Sequence, residues 1–109
     1  MKGESVMRKV PLRTVPIDGR PEIDYRTAFI TIAINAPAEG MTAKEMIPAL
    51  TIKHSLEAAN GADHVLLEEA DWRYLVGRLV NNRFPFAHEA IAEMVEAVEN
   101  APQVAVAAT

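Results

Sequence analysis

HVLLEEADWRYLVGRLVNNRFPF, residues 64–86, is the stretch whose reading decides the fold. It holds the one tryptophan of the chain and its clearest apolar stripe. With Ala70 set at 0° and about 100° per residue, Trp72, Leu75, Val76 and Leu79 fall between about 140° and 240°, one face of an α-helix. Val65, Leu66 and Leu67 precede it as an apolar run too brief for a helix and suited to a buried strand or an extended lead-in. Phe84-Pro85-Phe86 closes the stretch, because proline disfavours helical geometry at Phe84 and offers no amide donor. The prediction is a short strand running into a core helix.

Working outward towards the N-terminus, EIDYRTAFITIAINAP (residues 22–37) supports two patterns. Ile30, Ile32 and Ile34 alternate as in a strand, whereas Tyr25, Phe29, Ile32 and Ala33 fall at helical spacing with Asp24 as a candidate N-cap. The apolar run from Ala28 to Ile34 buries well among other helices, which decides for a helix ended by Asn35-Ala36-Pro37. Thr42 and Glu45 have capping-box spacing at the start of the next helix. That helix is expected to bury Met46, Ala49, Leu50, Ile52 and Leu56, to be bent or delayed by Pro48, and to stop at Asn60-Gly61.

Before these elements, VPLRTVPI (residues 10–17) sets Val10, Leu12, Val15 and Ile17 among two prolines, which suits an edge strand ahead of an Asp18-Gly19-Arg20-Pro21 turn. The polar start, MKGESVMRK, reads as an arm. Between Met1 and Arg20, the basic Lys2, Arg8, Lys9, Arg13 and Arg20 outnumber the acidic Glu4 and Asp18, so the arm is locally positive on a chain of net charge −4. On the other side of the central stretch, residues 87–99 give an amphipathic helix. Ile91, Met94, Val95 and Val98 face one way, and Glu89, Glu93, Glu96 and Glu99 the other. The uncharged APQVAVAAT reads as an extended tail. The expected fold is α+β and mostly α, with three to four helices and extended N- and C-terminal arms. One or two short strands, residues 10–17 and 64–67, are placed to pair. An arm or edge strand (1–17) leads into one helical domain (18–100) and a tail (101–109).

Composition narrows the function. Half of the 109 residues are hydrophobic, enough for one core. The acidic balance argues against direct nucleic-acid binding, which rests on phosphate neutralisation by Lys and Arg. With no cysteine, the chain has no disulfide, thiolate chemistry or Cys-based zinc site. Neither a membrane span nor a signal-peptide core is legible, so a cytoplasmic protein is expected. His54, His64 and His88 lack metal-ligand spacing. Glu68, Glu69 and Asp71 suggest an acid–base pair or cation site, but first-turn acid complementing the helix dipole accounts for all three. No nucleophile, oxyanion donor or phosphate loop stands near them. No catalytic residue, cofactor or metal is expected, and no enzyme.

Two features point to protein contacts instead. Ala70, Tyr74, Gly77 and Asn81 repeat at i, i+4, i+7 and i+11 opposite the stripe of the central helix. Small residues beside a tyrosine admit another chain, at the cost of about 1 kcal/mol for a helical glycine. The basic arm, through Arg8, Lys9 and Arg13, suits a strap across a neighbouring subunit or acidic partner.

The succession VPLRTVPIDGRPEIDYRTAFITIAINAP, GMTAKEMIPALTIKHSLEAANG and VLLEEADWRYLVGRLV resembles, in its layout over residues 10–98, small accessory proteins in the structural gene modules of tailed bacteriophages. That resemblance implies a non-catalytic role in head, neck or tail assembly, in the virion and in the host cytoplasm before it. It implies partners that are copies of the chain or other virion proteins, and transfers no functional residue. The alternative is a small acidic inhibitor or regulator whose glutamate stripe occupies a basic site on a host protein.

Overall fold

A computed structural model of the chain describes residues 4–36 and 38–107. The outermost parts of the expected arm and tail, residues 1–3 and 108–109, and the Pro37 stop lie outside the described residues. Among the described residues the order is β1 (Glu4–Pro11), β2 (Thr14–Ile17), β3 (Arg20–Asp24), α1 (Tyr25–Ile34), α2 (Ala43–Ala58), β4 (His64–Glu68), α3 (Glu69–Val80), α4 (Glu89–Glu99) and β5 (Gln103–Ala107). The fold is α+β and mostly α.

The two chain ends meet in one sheet. Its order is β4-β1-β5, so the strand from the N-terminal arm is central. β1 is antiparallel to β4, with Val10 opposite Val65, and antiparallel to β5, with Val6 opposite Ala105. The expected pairing of residues 10–17 with 64–67 is therefore realised only at its start, by Val10 and Pro11. Residues 14–17 fold back instead as β2 against β3, and Gly19 turns that hairpin at φ 71°, where a side chain would be strained. The edge assignment holds for residues 14–17, in a two-stranded sheet, but not for Val10 and Pro11, which end the central β1; Pro16 lies at the irregularity in β2. Neither proline removes a donor from the middle of the three-stranded ladder.

All helices lie on one face of this sheet. Val10, Val65 and Leu67 join Tyr25, Phe29, Ile52, Leu56, Leu75, Leu79, Met94 and Val98 in a single apolar core. α1 is a helix, as the Tyr25/Phe29/Ile32/Ala33 spacing predicts, and those four residues are its buried ones. Asp24 occupies the N-cap position without capping an amide; its carboxylate accepts from the Thr27 hydroxyl at 2.7 Å. The Thr42/Glu45 box forms in both directions, at 3.1 and 2.9 Å. α2 starts directly after it and continues through Pro48, so the proline does not delay the helix. Gly61, at φ 84°, makes the left-handed turn after it. Arg26 ties α1 to the far end of α2, donating to the Leu56 and Glu57 carbonyls at 2.6 and 3.3 Å.

Candidate interaction surfaces

Arg8 is held by its own chain. Its Nε and Nη2 donate to the two Glu69 carboxylate oxygens at 2.9 and 3.1 Å, and its Nη1 donates to the Ala101 carbonyl at 2.8 Å. The guanidinium lies 3.9 Å from the Trp72 ring centre, and the indole N–H donates to the Val98 carbonyl at 2.7 Å. Gln103 also donates to Glu69, at 3.3 Å. A planar fork suits a carboxylate and an aromatic face together, which an ammonium would not. The Arg8 hydrogen bonds hold the Glu69 carboxyl below its ordinary range, with Gln103 and Arg73 adding to the effect. Arg8 therefore locks β1, α3 and the start of β5 to one another, and the strap expected of it is an internal clamp. Lys9 and Arg13 are exposed and line an open groove with Pro11, Asp63, His64 and Asn100.

The expected stripe on α3 divides. Ala70 and Asn81 are exposed, whereas Tyr74 packs against the core with its hydroxyl buried and without a hydrogen-bond partner. Burial raises the Tyr74 pKa. Asn81 closes the helix, its side chain donating to the Gly77 carbonyl at 2.8 Å. A methyl group at Gly77 would meet nothing within 4 Å, so no close approach inside the chain requires glycine there. The stripe is thus a partly buried tyrosine between two exposed ends, rather than one continuous outward face.

The apolar surface that the sequence pattern missed is on α2. Ala49, Ile52 and Leu56 are buried as expected, but Met46 and Leu50 are 44% and 46% exposed and Ile47 69%. Apolar residues run around the whole circumference of this helix, so its pattern gives no single inward face. Met46, Ile47 and Leu50 lie outside the buried set of α2, and the chain covers them only in part. Ile34 at the end of α1 and Val80 at the end of α3 are exposed as well. Arg78 joins those two ends by donating to the Ile32 and Asn35 carbonyls. The Glu45 carboxyl is lowered mainly by the Thr42 hydrogen bonds and further by the charge of Arg78.

The candidate catalytic groups do not converge. Glu69 turns to Arg8, while Glu68 sits opposite Met7 on the outer face of the sheet. Asp71 is raised by burial and by the charge of Glu68. His64 pairs with Asp63 at 2.7 Å, and His88 caps α4 by accepting from the Ala90 amide at 3.0 Å. Among the described residues no group of three or more His, Asp or Glu side chains is placed to hold a metal, and no helix is long and apolar enough to cross a membrane. The chain matches no family model, no curated protein and no solved structure.

Proposed function

We propose that the chain is a non-catalytic structural or assembly protein of a tailed-phage particle, acting through contacts with other chains. The phage assignment rests on the layout resemblance of residues 10–98. The contact role rests on one observation: α2 carries a second apolar face, Met46, Ile47 and Leu50, that its own chain leaves bare. Met46 and Leu50 are about half exposed and Ile47 more so, so covering what remains in water is worth roughly 1–2 kcal/mol each, and their exposure favours a partner.

The test is a Met46→Lys, Leu50→Lys double variant placed in the native genome. Complete particles, counted by electron microscopy, should fall sharply while the purified variant keeps its fold by circular dichroism. Unchanged particle yield with a folded variant would remove the proposal.

A second reading keeps one observation in its favour. Glu89, Glu93, Glu96 and Glu99 on α4 are all exposed, and none forms an ion pair among the described residues. An acidic inhibitor of a basic site would use that stripe, and would lose binding on Glu93→Lys while tolerating the α2 double variant.

A further inference from the structure

We propose that β5 pairs with β5 of a second copy of this chain, joining two three-stranded sheets into one six-stranded sheet across a two-fold axis. The first observation is the direction of the β5 side chains. Arg8, Gln103 and Val10 lie on the helical side of the sheet, where Arg8 meets Trp72 and Val10 enters the core. Alternation along β5 therefore puts Ala105 on that same side and turns Val104 and Val106 away from the helices. The larger apolar residues of β5 serve nothing within their own core. An antiparallel sheet with one solvated face ordinarily shows polar residues there.

The second observation is the open edge. The sheet order leaves β5 at the border, and β5 packs substantially on β1 alone. The Lys9 amide donates to the Pro102 carbonyl at 2.9 Å, so Lys9 and Pro102 face each other as a hydrogen-bonded pair. Such pairs recur at every second residue of an antiparallel ladder. In the observed register the next are Met7 with Val104 and Ser5 with Val106. The backbone N–H and C=O groups of Gln103, Ala105 and Ala107 therefore point away from β1, on the side where no strand pairs among the described residues. Proteins commonly blunt such an edge with a lysine, a proline or a bulge, and QVAVA contains none of these.

The occupant follows from self-complementarity. An antiparallel copy centred on Ala105 sets Ala105 opposite Ala105 and Gln103 opposite Ala107, the residues with outward-pointing backbone groups. Val104 then falls opposite Val106 of the other copy, so the four valines cluster on the face turned away from the helices. No charged residue opposes its like, because the strand has no charge. Val6, 52% exposed beside Ala105, lies on the other face of the same ribbon. A five-residue edge strand borders a sheet of only three strands, and additional strands stabilise such a sheet.

The experiment uses the full chain. Light scattering over a concentration series should show reversible dimerisation from 11.9 kDa to twice that mass. Ala105→Pro removes an outward amide and no bond to β1, so it should weaken the dimer by about tenfold or more without unfolding the monomer. The chain has no cysteine, so Ala105→Cys introduces a unique thiol. Across the axis its Cα would sit about 5.5 Å from its mate, within disulfide reach. Mild oxidation should give a covalent dimer with Ala105→Cys and none with Ala70→Cys on α3. A monomer at every concentration would overturn the inference. So would a dimer that Ala105→Pro leaves intact, or one that crosslinks at position 70 rather than 105. A dimer lost in Met46→Lys, Leu50→Lys but kept in Ala105→Pro would assign the contact to α2 and equally overturn it.

Discussion

Arg8 shows how far one side chain can reorganise the interpretation of a segment. In sequence it is one of several cations in a polar N-terminal stretch; in the fold it bridges Glu69, Trp72 and Ala101, residues far apart along the chain. Lysine at position 8 would keep the charge but lose the two-point contact and the stacking, so Arg8→Lys should lower the thermal midpoint measurably. The clamp also has a pH signature. The folded-state pKa of Glu69 lies below its ordinary value, first because Arg8 donates to it. A depressed carboxyl lends stability above its unfolded pKa and loses it as pH falls through the folded one. The stability gap between wild type and Glu69→Gln, from urea titrations, should be widest near neutral pH and close as pH falls below the ordinary carboxylate range through the lowered folded-state pKa. Thr42 offers a simpler check. Thr42→Ala removes the hydroxyl that accepts from the Glu45 amide, while the backbone amide at position 42 can still donate to the Glu45 carboxylate, and should cost about 1 kcal/mol of unfolding free energy.

At the scale of elements, α2 separates two kinds of apolar residue on one helix. Ile52 is fully buried, so Ile52→Ala should cost about 2–5 kcal/mol in chemical denaturation. The exposed Ile47→Ser should stay within about 0.5 kcal/mol of wild type. The elements legible in the sequence were those with a strong local signature. Trp72, Leu75 and Leu79 announced α3, Met94 and Val98 announced α4, and Thr42 with Glu45 announced the start of α2. Val65 and Leu67 likewise marked β4, whose buried residues they are. What stayed hidden was non-local or locally ambiguous. Nothing near Val104 reveals that its partner is Met7, almost a full chain length away. An alternation of valine and alanine without charge looks like a tail until a neighbouring strand supplies its hydrogen bonds. The spacing places Met46 and Leu50 in the core because apolar residues on several sides of α2 fit more than one inward face. The α3 stripe is outward only in part: Ala70 and Asn81 are exposed, whereas Tyr74, at an outward angle on an ideal helix, packs partly against the core beside a neighbouring helix.

At the scale of the molecule, the helices cover one face of the sheet and leave three outward features: the bare side of α2, the uncharged edge of β5 and the glutamate side of α4. The radius of gyration, 14.4 Å, exceeds the about 13 Å typical of a compact domain of this length. Because those strands build the sheet, cutting away residues 1–9 or 101–109 should unfold the protein rather than release a strap. Surface substitutions are the better probes of assembly. The most direct measurement is methionine oxidation, read by mass spectrometry, on the isolated chain and on particles that contain it. Met46 is 44% exposed and Met94 2%, so one reports the α2 surface and the other serves as an internal reference. Oxidation of Met46 in the free chain and its protection in the particle, with Met94 slow in both, is the predicted result. Equal oxidation of Met46 in both states would contradict the account.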